Sequence, residues 1–163
     1  MFDKPAYKTL VLGVGNTLMS DEGVGVHVIE RLLAGFGLPE EVQVLDGGVL
    51  GMDLLYYLEG IENLLLIDAV ETRKEAGTII RLENDEVPAF LSMKISPHQV
   101  GVPDMLAASK LMDLYPKRIV LWGIQPQWLD MGMDLSPLIE SKLDTLVNHA
   151  VEQLRAWGHS VTP

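Results

Sequence analysis

Cysteine is absent from the 163 residues. Disulfides, thiolate metal sites, iron–sulfur ligation and a cysteine nucleophile are excluded together. Positive charge is scarce as well: 12 Lys and Arg stand against 23 Asp and Glu, a formal net of -11. Such a surface repels phosphate backbones and anionic membranes, so no nucleic acid and no membrane is expected as partner. A neutral or basic partner, or a cation, fits better. Long apolar runs are missing too. The longest uncharged run, Thr9 to Ser20, holds twelve residues, against roughly 18 needed to span a bilayer. Asp3 and the lack of an apolar stretch leading to a small-residue cleavage site give no export signal, and a cytoplasmic location is expected. Three hydrolase signatures are also missing: Gly-x-Ser-x-Gly, His-Glu-x-x-His and Asp-Thr-Gly. If the chain hydrolyses anything, its nucleophile is water activated by a metal or a carboxylate.

What is present is an ordinary globular balance, 48% hydrophobic and 21% charged, in a chain of single-domain length. One domain over residues 1–163 is expected. Tyr7 to Val14 reads as a buried strand. Helical spacing follows at Val24, Val28, Ile29, Leu32, Leu33 and Phe36. A second strand covers Val42 to Leu45 and ends in Asp46-Gly47-Gly48, and residues 51–59 form a short helix. Asn63 to Val70 is the most hydrophobic strand and carries Asp68 at its carboxyl end. Gly77 to Leu82 reads as an edge strand because Arg81 breaks its apolar character. Residues 83–101, with Pro88 and Pro97, read mostly as loop. Helical spacing at Leu106, Leu111 and Leu114 closes at Pro116, and Arg118 to Gln125 is the fifth strand. Ser136 and Pro137 then open one final helix, apolar at Ile139, Leu143, Leu146, Val147, Ala150, Val151 and Leu154 and ended by Gly158. The alternation predicts an α/β three-layer sandwich: a mainly parallel, five-stranded twisted sheet with helices on both faces.

In such a sheet, ligands gather at the carboxyl ends of the strands. Three polar clusters fall there: Asn16, Ser20, Asp21 and Glu22 after the first strand, Asp68 at the end of the third, and Ser96-Pro97-His98-Gln99 in the long loop. Two carboxylates and an imidazole suit a borderline divalent ion such as Ni²⁺ or Zn²⁺. Each residue also has a plainer reading. Asp21 and Glu22 can cap the helix they precede, Asp68 and Asp46 can form turns, and His98 can be an exposed loop histidine. His27, His149 and His159 are assigned no role, and the methionines read as gap-fillers. Gly13-Val14-Gly15, with Asp46 closing the second strand, partly matches a dinucleotide fingerprint. Position 18 is Leu rather than the third glycine, and two acids at the helix start would repel a pyrophosphate.

Taken in order, LVLGVGNTLMSDEGVGV, LDGG, LLLIDAV and KISPHQVG resemble the nickel-iron hydrogenase maturation endopeptidases, and SPHQ resembles the uptake-type branch. The match runs from Leu10 to the final helix. The resemblance implies removal of a C-terminal extension from the hydrogenase large-subunit precursor, after nickel has been placed in it. That precursor, accompanied by maturation chaperones, is the implied partner. The family's metal-contacting positions fall on Glu22, Asp68 and His98. The implied cofactor is nickel carried by the substrate, a site that other divalent ions can also occupy. Val49 stands where many members have Thr. Asp46 is a candidate for orienting the extension, and the family's grouping with aspartic peptidases sits beside its lack of their Asp-Thr-Gly pairs. Two readings of other classes stay open: a nickel-sensing binding module that grips the precursor without cutting it, and a phosphorylase- or nucleosidase-like enzyme.

Overall fold

A computed structural model describes residues 6–48, 51–92 and 101–163. Five strands form one sheet in the order β2-β1-β3-β5-β4, with β1 at Thr9–Val14, β2 at Val42–Gly48, β3 at Asn63–Ala69, β4 at Ile79–Glu83 and β5 at Arg118–Ile124. The first four strands of that order run parallel, and β4 closes the edge antiparallel to β5. The α/β sandwich and the edge position of Arg81 are as expected. β2 runs three residues further than Leu45, carried by its pairing with β1 through Gly13 and Val14.

The strands of the centre are apolar on both sides because both are covered. Val11, Leu65, Ile67 and Val120 meet α1 (Val24–Gly35) and α5 (Leu143–Ala156) on one face. Leu10, Leu12, Leu64, Leu66, Ile119 and Leu121 meet a 3-10 helix (Gly51–Leu58), α2 (Glu86–Ser92) and α3 (Gly101–Leu111) on the other.

Four local expectations are corrected. Within 83–101 the described part is not mostly loop, since α2 occupies residues 86–92, while 93–100 lie outside the described residues; Pro88 lies in the first turn of α2, where a missing N–H costs nothing. The final helix is broken into α4 (Pro137–Glu140) and α5; at the break the Ser141 hydroxyl donates to the Leu138 carbonyl at 2.5 Å, a side-chain bond that competes with the helical ladder. Ser136 does cap α4, its side chain accepting from the Ile139 N–H. Leu33 and Leu111, expected on buried stripes, are exposed, because each lies outside the narrow arc that its helix turns to the sheet. Met131 and Met133 are not gap-fillers; they project from a surface loop at 87% and 72% exposure.

The amino ends of the strands are tied by a buried polar chain. Arg118 Nε donates to Asn63 Oδ1 at 2.7 Å and Asn63 Nδ2 to Thr9 Oγ1 at 2.9 Å. Thr9 Oγ1 also meets His159 Nε2 at 2.7 Å, and His159 Nδ1 faces Glu41 Oε1 at 3.2 Å. His159, assigned no role from sequence, thus fastens the C-terminal segment to the sheet. Glu41's own backbone N–H, then the His159 ring, hold its carboxyl below the ordinary glutamate value.

Candidate active site

The strand order reverses between β1 and β3: β2 lies outside β1 on one side, and β3, β5 and β4 continue on the other. The carboxyl ends of β1 and β3 therefore flank the crevice where open α/β sheets bind ligands. Glu22 sits in the 3-10 turn Ser20–Gly23 that follows β1, and Asp68 lies one residue from the end of β3.

Local backbone chemistry brings the two together. Gly15, at φ +128°, folds the chain back so closely that a Cβ there would land on the Glu22 carbonyl. Gly25, in the first turn of α1, presses on the carbonyls of Val14 and Ile67, where any Cβ would collide. The start of α1 thus stands over the junction of β1 and β3, with Glu22 three residues before the crossing and Asp68 immediately after Ile67. Asn16 steadies the turn, its Oδ1 accepting from the Leu18 N–H at 2.9 Å. Asp68 is buried, whereas Glu22 is half-buried at the mouth. By strand alternation Asp68 shares its face with Leu64 and Leu66, the side covered by α2 and α3.

His98 lies outside the described residues, as do Ser96, Pro97 and Gln99. Among the described residues no group of three or more His, Cys, Asp and Glu side chains is placed to hold a metal. Asp46 is exposed at the end of β2, and its Oδ1 accepts from the Gly48 N–H at 2.8 Å, the turn-forming bond expected of it. Val49 is also outside the described residues.

Asp21 behaves differently from the helix cap anticipated for it. Its carboxylate is wholly buried and caps neither the 3-10 turn nor α1. Oδ2 accepts from the Gln127 and Trp128 N–H groups at 2.9 and 2.7 Å and from the Ser136 hydroxyl at 2.8 Å, while Oδ1 accepts from the Ser136 N–H at 2.7 Å. Residues 127–136, the loop after β5, are thereby clamped to the turn that bears Glu22. Ser20 reinforces the clamp: held at φ +54°, it donates from its hydroxyl to the Asp130 carbonyl at 2.7 Å and from its N–H to the Gly132 carbonyl at 2.8 Å. Sequence spacing gives no signal for this, since the partners lie more than a hundred residues apart. Beside it, Gln125 ties the segment after β3 to the end of β5, accepting from the Thr72 N–H at 2.6 Å and donating to Glu71 at 3.1 Å.

A cavity of about 470 Å³ lined by Tyr7, Gln43, Tyr56 and Tyr57 opens at the amino ends of the strands. It is at the wrong end of the sheet for Glu22 and Asp68, and the carboxyl-end crevice remains the candidate site.

Residues 26–153 match the family model described as "Hydrogenase maturation protease". The chain is 44% identical over 163 residues to a hydrogenase expression/formation protein, HupD, of Rhodobacter capsulatus, covering 97% of this chain and 78% of that one. It is 38% identical over 157 residues to the hydrogenase 2 maturation protease of Escherichia coli strain K12, covering 96% of both. Among solved structures, the hydrogenase maturating endopeptidase HYBD from E. coli superposes with a TM-score of 0.93 at 38% identity, over 96% of this chain and 97% of that one.

Proposed function

The chain belongs to the hydrogenase maturation protease family, and from that premise we propose that Glu22, Asp68 and His98 engage the nickel of a hydrogenase large-subunit precursor while its C-terminal extension is removed. The protein is an endopeptidase acting on that extension. The single observation that carries the site reading is the convergence of the Glu22 turn and the end of β3 in the crevice between β1 and β3.

Two carboxylates and an imidazole form a donor set suited to a borderline divalent ion. Nickel arrives as cargo of the substrate, where it would mark the loaded precursor and supply Lewis acidity toward a carbonyl. The residues of this chain dock and orient. Glu22, half-exposed at the mouth, meets the incoming precursor; Asp68, held in a strand buried along its whole length, fixes the depth of insertion. The nucleophile is water, and its hydroxyl goes to the carbonyl carbon as the C–N bond breaks and the released amine takes the proton. Asp46, at the adjoining strand end, is positioned to orient the extension. The Ser96-Pro97-His98-Gln99 run supports the uptake-type branch. Processing takes place in the cytoplasm, where maturation chaperones deliver the precursor; among the described residues no helix is long and apolar enough to cross a membrane.

Glu22→Ala, Asp68→Ala and His98→Ala, each made alone, are expected to abolish processing of nickel-loaded precursor while keeping the wild-type urea midpoint within about 1 M. Full activity of the His98→Ala protein contradicts the three-residue reading.

A further inference from the structure

Among the described residues, the clamped loop after β5 carries an apolar piece of surface beside the site. Trp128, Leu129, Met131 and Met133 are all exposed, and so is Leu18 on the neighbouring turn. The two segments are one surface. Gly132 donates its N–H to the Leu18 carbonyl at 2.8 Å, Gly132 pairs with Met19, and the Asp21 N–H reaches the Trp128 carbonyl at 3.0 Å. Four hydrogen bonds to the buried Asp21 carboxylate hold the loop from below.

Exposing five large apolar side chains is unfavourable for a soluble surface unless something covers them. A loop free to collapse would bury them; here the Asp21 and Ser20 bonds keep the backbone in place with the side chains outward. Methionines adapt to an irregular partner, and Trp is enriched where binding energy concentrates.

We infer that Leu18, Trp128, Leu129, Met131 and Met133 form the docking surface for the large-subunit precursor, taking an apolar segment of its folded body rimmed by basic residues. Three observations select this occupant. The surface is continuous with the site, since Leu18 lies four residues before Glu22 in the loop after β1, so a protein that reaches Glu22 lands on the loop. The exposed acids Asp130 and Asp134 border it, on a chain of net charge -11, and favour a basic rim. A second copy of this chain would bring like acids together. The inference rests on the endopeptidase reading for the identity of the partner.

The test compares wild type with the triple variant Leu129→Ser, Met131→Ser, Met133→Ser, using nickel-loaded precursor. Leu33→Ser, on an exposed residue of α1, is the control. Initial rates against precursor concentration should show KM raised tenfold or more in the triple variant, kcat within twofold, and the control unchanged. All three residues are exposed, so the urea midpoint should stay at the wild-type value. An unchanged KM overturns the inference. So does a wild-type dimer, seen by light scattering, that the triple variant dissociates with no change in KM. Equilibrium binding of the precursor separates the two readings. Wild type that binds without cutting overturns the endopeptidase reading, while loss of that binding in the triple variant upholds the surface; equal binding by both proteins overturns it.

Discussion

Replacing Asp21 with Asn changes one oxygen for an amide nitrogen in a wholly buried group. The amide oxygen would best take the Oδ2 position, keeping the Gln127, Trp128 and Ser136 hydroxyl donors. The new NH₂ then faces the Ser136 N–H across 2.7 Å, donor against donor. One bond is lost and a backbone N–H is left unsatisfied, a cost of roughly 1–3 kcal/mol. The three remaining bonds lose their charge assistance, although relief of the buried charge offsets part of this. A net loss of about 2–4 kcal/mol is expected, a large share of the roughly 5–15 kcal/mol by which domains are stable. With a urea slope of about 2 kcal/mol per molar, the midpoint should fall by about 1–2 M. Hydrogen exchange should quicken locally at the Gln127, Trp128 and Ser136 amides. A midpoint shift below about 0.5 M, or unchanged exchange at those three amides, refutes the idea that the carboxylate holds the loop.

Glu41 supplies a pH test. Its carboxyl is held below the ordinary value of 4.5, first by its own backbone N–H and then by His159. A depressed folded value stabilises above the unfolded one and loses that contribution as pH falls through it. Wild type should therefore exceed Glu41→Gln in urea midpoint above pH 4.5 and lose that lead below it; a lead that persists into strong acid contradicts the assignment. Gly25→Ala puts a methyl into the Val14 and Ile67 carbonyls and should cost about 3 kcal/mol or more, since neither strand can yield; a urea midpoint within 0.5 M of wild type, at the slope used above, contradicts the close approach. The net of -11 should steer a basic precursor tail, so the processing rate at low precursor concentration should fall as salt rises. A flat salt profile leaves the charge with solubility alone.

The sheet was readable because its strands are short apolar runs ending at glycine or acid, and buried strands have few other ways to look. Glu22 and Asp68 could be placed at strand ends for the same reason, and the reversal of strand order then puts those ends side by side. The rest depended on contacts distant in sequence. Asp21 looks like a helix-start acid because its neighbours are one, yet its partners come from residues 127–136. Met131 and Met133 look like core residues by composition; only the bonds from Ser20 and Asp21 turn their loop outward. α2 was hidden by Pro88, which reads as a breaker unless its place in the first turn is known. The histidine of the proposed trio lies outside the described residues and is assigned by family resemblance.

The most direct test follows the intact mass of nickel-loaded and nickel-free large-subunit precursor incubated with the purified protein. Only the nickel-loaded form is expected to lose a C-terminal peptide. Equal cleavage of both forms contradicts engagement of substrate nickel by Glu22, Asp68 and His98, and stable binding with neither form cut contradicts the endopeptidase itself.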